Sequence, residues 1–208
     1  TTLSTNSTVT DIDGNVYNVV TIGSQIWMAE NLAVTHYSDG TALFDGTGVG
    51  NIEKDFNTKY WFVFYDNLSY KSIYGLLYTW SAVMNGASEN DANPGGIQGI
   101  CPSGWHVPSD DEWKELEMFL GMTQEQANST GLRGTDEGGK LKSTRTSPDA
   151  LPRWWSPNTG ATNKSGFNGL PGGFRNHKGT FYSGILDVGE GLWWSSSESE
   201  FNDETAWG

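Results

Sequence analysis

The chain has 208 residues and a formal net charge of -13, a balance that repels phosphate backbones and excludes nucleic acid as a partner. Its 36% apolar residues never form a run approaching the ~20 residues of a membrane helix. Twenty-seven glycines and ten tryptophans describe one loop-rich domain of mixed structure.

The start, Thr1 to Val9, is rich in Ser and Thr and has neither a basic segment nor an apolar stretch. It reads as a flexible linker over 1–9, with a single domain over 10–208 and no signal peptide within this chain. Val9 to Val20 carries Asp13-Gly14 between β-prone runs, which predicts a hairpin with a two-residue turn. The spacing of Asp11, Asp13, Gly14 and Asn15 brushes a calcium-loop pattern but lacks its closing Glu, so a turn is expected. A strand follows around Gln25 to Met28. Residues 36–72 are irregular, apart from the aromatic run Tyr60 to Tyr65, which suits a strand or an insertion folded over the core.

Leu76, Leu77, Trp80, Val83 and Met84 recur at helical spacing and predict a helix over Tyr74 to Asn85, stopped by Asn85-Gly86. A loop over 87–99 leads to the stretch Ile100 to Trp113. There Pro102 and Gly104 punctuate a tight loop, and Trp105 and Val107 suggest a short buried strand. Ser109 with Glu112 forms an S-x-x-E capping box. The helix it opens is expected to run to Gly121 and to bury Trp113, Leu116, Phe119 and Leu120. Beyond Gly121, short strands between long loops are expected, with aromatics spaced through them.

Catalytic chemistry finds little support in these residues. The histidines are His36, His106 and His177, and no H-E-x-x-H, G-x-S-x-G or P-loop pattern occurs. His106 falls in the corner, where a satisfied structural role is expected. Cys101 is the one cysteine and can form neither an internal disulfide nor a C-x-x-C pair. Flanked by Ile100 and Pro102, its thiol is expected to be buried and unreactive. The expectation is no enzyme and no required cofactor, with calcium as the ion that clustered carboxylates would suit.

The segment Cys101 to Trp113, "CPSGWHVPSDDEW", resembles the signature of the Fibrobacter succinogenes major paralogous domain family. Further matches follow the same order: Thr10 to Leu32, Tyr74 to Gly86, Ser165 to Asn176 and Trp193 to Trp207. The resemblance implies an α+β, C-type-lectin-like fold, akin to formylglycine-generating enzymes, with two helices, short antiparallel strands and long Gly- and aromatic-rich loops. It also implies a secreted or cell-surface protein of the kind found in Fibrobacter and Bacteroidetes. In that family the cysteine matching Cys101 has a partner in a last strand, so the resemblance implies that this chain lacks that strand. The catalytic cysteines of the formylglycine-generating relatives have no counterpart after Cys101, which argues against their activity.

These readings favour a non-enzymatic extracellular binding module whose partner is a cell-surface glycan or a protein. A degenerate relative of the formylglycine-generating enzymes and a structural subunit of a surface appendage are the alternatives. Ligand residues are expected in two loops of the second half: Arg175, Asn176 and His177 in one, and Trp194, Glu198, Glu200, Asn202 and Asp203 in the other. Both mix aromatic, amide and charged groups without a capping or turn role. Two unrelated solvated loops are the plain alternative.

Overall fold

The computed structural model describes residues 7–182 and 189–198. It begins with an antiparallel sheet of β1 (Thr8–Thr10), β2 (Val16–Ile22) and β3 (Gln25–Met28), in that order. β1 takes in Thr8 and Val9, the last residues of the expected linker. The expected hairpin is present, but its loop spans residues 11–15 because Asp11 organises it. The Asp11 carboxylate accepts from the N–H groups of Asp13 and Asn15, the Asn15 amide and the Tyr17 hydroxyl. Burial and the Asp11 charge push the Tyr17 phenol well above its usual range. Asp13 clasps the next segment, accepting from the N–H and hydroxyl of Thr35 and lying 2.6 Å from His36 Nδ1. Of the aspartates in the calcium-like spacing, Asp11 thus holds the turn and Asp13 ties it to the Thr35–His36 segment.

The middle of the chain builds a second sheet. β4 (Phe44–Asp45) pairs in parallel with β5 (Tyr60–Phe62), and β5 pairs antiparallel with β6 (Leu77–Tyr78). The helix expected over residues 74–85 is not continuous. α1 (Lys71–Tyr74) ends at Gly75, β6 follows, and α2 (Trp80–Met84) closes on left-handed Asn85. Gly75 explains the break. Its φ is +76°, and a Cβ there would sit 2.7 Å from the Leu32 carbonyl oxygen. Leu76 donates its N–H to that same carbonyl, and Leu77 and Tyr78 then pair with Phe62 and Trp61. Strand pairing overrides a helical pattern here, and it still leaves Leu76, Val83 and Met84 buried.

The Cys101 corner is a turn followed by extended chain, without the strand expected at Trp105 and Val107. Val107 donates its N–H to the Ile97 carbonyl. The helix α3 (Asp110–Leu120) begins where the capping box places it, with both halves of the box formed. Leu116 is fully buried, and Trp113 and Leu120 pack partly buried beside it. Phe119 departs from expectation, with 63% of its surface exposed. It lies at the edge of the apolar stripe, where its ring covers Gly23 in the β2–β3 turn.

α4 (Gln124–Ala127) and α5 (Glu137–Leu141) add helices where only strands and loops were expected. With α1, they exceed the two helices of the expected fold. Thr123 and Gln126 supply α4 with its own capping box. β7 (Phe174–Arg175) and β8 (Phe181–Tyr182) form a short antiparallel pair. The architecture is thus α+β, with small sheets and short helices. No helix among the described residues is long and apolar enough to cross a membrane.

Three buried clusters hold these elements together. The largest gathers Val34, Tyr37, Leu43, Trp61, Val63 and Val83 with Ile100 and Val107 of the corner. A second joins Phe64, Tyr74 and Leu170, and a third joins Ile22, Leu116 and Phe167.

Ser109 caps α3 with its hydroxyl and also donates to the Ala92 carbonyl, at zero exposure. Ser109→Ala should therefore lower stability by about 1–2 kcal/mol, the upper part of the N-cap range. A urea unfolding midpoint equal to that of the wild type would contradict this.

Candidate functional site

The three clusters border one cleft of about 1230 Å³. Its lining includes β3, the end of α1, β6, α2, the corner 100–108, the first turns of α3 and the segments 167–175 and 191–194. Aromatic rings form its floor. Trp27 lies 4.7 Å from Trp113, Phe167 lies 6.0 Å from Trp27 and 6.1 Å from Trp113, and Trp193 stands edge-on to Phe167 at 5.7 Å. Trp80, Trp105 and Trp194 extend the lining.

Each indole on this floor is held by its N–H, which leaves ring faces for contact. Trp27 donates to the Gln25 side-chain oxygen, Trp193 to Asn31 Oδ1 and Trp194 to the Tyr78 carbonyl. Trp80 donates to the Ser195 carbonyl at 3.1 Å. A buried indole N–H needs such a partner, and the partner fixes the ring.

Ser195, Ser196 and Ser197 are fully buried and form a strap behind Trp193 and Trp194. The Ser196 hydroxyl donates to the Asn90 carbonyl, and its N–H donates to the Pro108 carbonyl. The Ser197 hydroxyl accepts the Asp110 N–H at the start of α3. The serine run therefore joins the 87–96 loop to α3 and positions the two tryptophans.

His106 and Glu112 sit together in the cleft wall, with His106 Nε2 2.7 Å from Glu112 Oε1. The histidine side chain is 34% exposed, and the glutamate 7%. His106 is satisfied, as the sequence suggested, yet it faces the cleft. No spacing connects it with Trp27, Trp113, Phe167 and Trp193, because that floor comes from four separate segments.

Of the anticipated ligand residues, Arg175, His177, Trp194 and Glu198 all border this cleft. Arg175 lies 4.0 Å over the Phe62 ring, and its guanidinium donates to the carbonyls of Val49, Gly50 and Asn176. That engagement makes it a clamp between the 46–50 loop and β7. Asn176 faces its own turn, accepting from the Thr180 N–H and closing the β7–β8 loop. Glu200, Asn202 and Asp203 lie outside the described residues.

The charges of the cleft are carboxylates: Glu30, Glu53, Asp55, Glu112 and Glu198, against the clamped Arg175. Among the described residues, no three His, Cys, Asp or Glu side chains converge as a metal cage. Cys101 also lines the cleft, and burial pushes its thiol up to about 12.

This arrangement defines an α+β domain with an aromatic, carboxylate-rimmed cleft beside a capped helix. The chain belongs to the family described as the Fibrobacter succinogenes major domain, whose model matches residues 20–207. Neither the curated proteins nor the solved structures contain a match.

With its thiol shifted up by burial, Cys101 holds almost no thiolate at neutral pH. Iodoacetamide at pH 8 should label the native protein about a hundredfold more slowly than the urea-unfolded chain. Equal rates in the two states would contradict this placement.

Proposed function

We propose that the protein is an extracellular, non-enzymatic binding module on a C-type-lectin-like scaffold, and that its cleft takes a neutral stretch of a cell-surface glycan. The observation that carries this reading is the continuous aromatic floor, Trp27, Trp113, Phe167 and Trp193, with Trp194 beside it. Sugar rings present C–H faces that pack on indole faces, while a few polar groups fix their orientation. The cleft exceeds the roughly 300–1000 Å³ common for small-molecule pockets, so an extended ligand suits it better than a single small one. Its carboxylates and clamped Arg175 disfavour sulfated, phosphorylated or otherwise anionic chains.

Binding suits this site better than catalysis because its polar side chains are already engaged in the walls. Glu112 and His106 hold each other, Asn31 holds Trp193 and the Tyr74 carbonyl, and Gln25 joins Trp27 to the Glu112 carbonyl. Glu198 and His177, from the two anticipated loops, are the polar groups we assign to ligand orientation at the rim.

The experiment is intrinsic fluorescence titration with neutral polysaccharides (mannan, β-glucan, xylan) and with dextran sulfate as the anionic control. A neutral chain should change tryptophan emission. Trp194→Ala, at a ring 37% exposed, should weaken its binding about tenfold or more, as loss of an aromatic anchor does. Binding of dextran sulfate alone, or neutral binding untouched by Trp194→Ala, would contradict the proposal.

A further inference from the structure

Six tryptophans among the described residues line the aromatic cleft: Trp27, Trp80, Trp105, Trp113, Trp193 and Trp194. Five of them commit their indole N–H to the protein, Trp113 through the Trp194 carbonyl at 3.4 Å. Trp105 is the exception. Its N–H has no acceptor among the described residues, although the residue is half-buried. Indole N–H groups drawn away from water usually find a partner, so this one stands at the cleft wall as an unused donor.

The next residue supplies an unused acceptor. His106 Nε2 lies 2.7 Å from Glu112 Oε1. The other carboxylate oxygen accepts the N–H groups of Ser109 and Gly95 at 2.9 and 3.3 Å, so Glu112 acts throughout as an acceptor. Nε2 must therefore carry the proton of the pair, which leaves Nδ1 of the neutral ring with a free lone pair. No described residue donates to Nδ1, and the side chain is 34% exposed where it borders the cleft. The carboxylate behind the ring fixes both its tautomer and its orientation.

The backbone that carries this pair is fixed on both sides. Trp105 donates its main-chain N–H to the Pro102 carbonyl at 3.0 Å, and Val107 donates to the Ile97 carbonyl at 2.8 Å. Ile100 and Val107 are anchored in the largest apolar cluster, at 4% and 3% exposure. A donor and an acceptor on so rigid a corner meet a ligand with little ordering cost.

We infer that Trp105 and His106 select the cleft's ligand by its free hydroxyl groups, an inference that rests on the glycan reading of the cleft. Trp105 Nε1–H donates to one sugar oxygen, and His106 Nδ1 accepts the proton of a sugar hydroxyl. The aromatic floor takes C–H faces and tolerates any pyranose that offers one. Nδ1 adds a demand that the floor cannot make, an O–H donor, and an ether or ester oxygen has none to give. The ligand class is therefore a neutral glycan unsubstituted at the hydroxyl that meets the corner, and O-methylated or O-acetylated chains are rejected there. An acceptor that faces an alkyl group loses its water and gains no partner, which is the larger penalty.

The test is calorimetric titration of the whole chain with mannan, β-glucan and xylan, each native and per-O-methylated. Methylation keeps the C–H faces and removes every O–H donor. A polysaccharide that binds in native form should bind at least about tenfold more weakly once methylated. Trp105→Phe keeps an aromatic ring and removes the N–H. His106→Gln keeps an amide N–H for Glu112 and places no atom at the Nδ1 position. Each should weaken native binding about fivefold or more and unfold at the wild-type midpoint. In His106→Gln the penalty for methylation should also shrink, whereas a merely structural role would weaken native and methylated chains alike. Equal affinity of wild type for native and methylated chains, native binding unchanged in either variant, or an undiminished methylation penalty in His106→Gln would each overturn the assignment. Those outcomes leave the aromatic floor standing, because its own test is the loss of binding in Trp194→Ala. No binding of any native polysaccharide would overturn both.

Discussion

One buried carboxylate, that of Glu112, ties together the parts on which the cleft depends. Its Oε2 accepts the Ser109 N–H at 2.9 Å and the Gly95 N–H at 3.3 Å, and its Oε1 meets His106 Nε2. Its backbone carbonyl accepts from Gln25 of β3 at 3.0 Å. Helix start, 90s loop, corner and first sheet therefore converge on one residue that is 6% exposed. A carboxylate so removed from water is costly unless donors surround it, and here they do. Removing it would strand two backbone N–H groups and loosen His106 at the cleft wall.

The same logic explains how so many aromatic rings can line an open cleft without closing it. Apolar packing alone has no direction and would draw the rings together. Directional bonds oppose this: Trp193 is pinned to Asn31, Trp194 to Tyr78 and Trp80 to Ser195. The buried serines then fasten that wall to α3 through Asp110 and Pro108. Polar groups hold the scaffold, and aromatic faces are left for contact.

Local signals were legible in the sequence, and non-local ones were not. Ser109 and Glu112 announced α3 because a capping box is complete within four residues. The same pattern at Thr123 and Gln126 announces α4 to anyone who reads T-x-x-Q as generously as S-x-x-E. Gly75 lies inside the span 74–85 expected as a helix, and its meaning came only from Leu32 and Asn31, more than forty positions away. Phe119 fitted the helical stripe, but its place at the stripe's edge depended on where β2 turns. The burial of Ser195 to Ser197 has no local signal, since the groups that satisfy them, Asn90 and Asp110, are distant in sequence. Arg175 and Trp194 both border the cleft, and Arg175's clamp on the 46–50 loop is visible only in the tertiary contact. The floor of Trp27, Trp113, Phe167 and Trp193 was the least legible feature, being assembled from four segments that share no spacing.

The central claim is that ligand is held on that floor. The most direct measurement is the set of indole N–H resonances, each assigned by single Trp→Phe substitution, during titration with the neutral polysaccharide fragment that binds. The account predicts shifts at Trp27, Trp113, Trp193 and Trp194, with the Trp154 indole, bonded to the Gly169 carbonyl and outside the cleft, unchanged. Shifts at Trp154 with the four cleft indoles unmoved would contradict it.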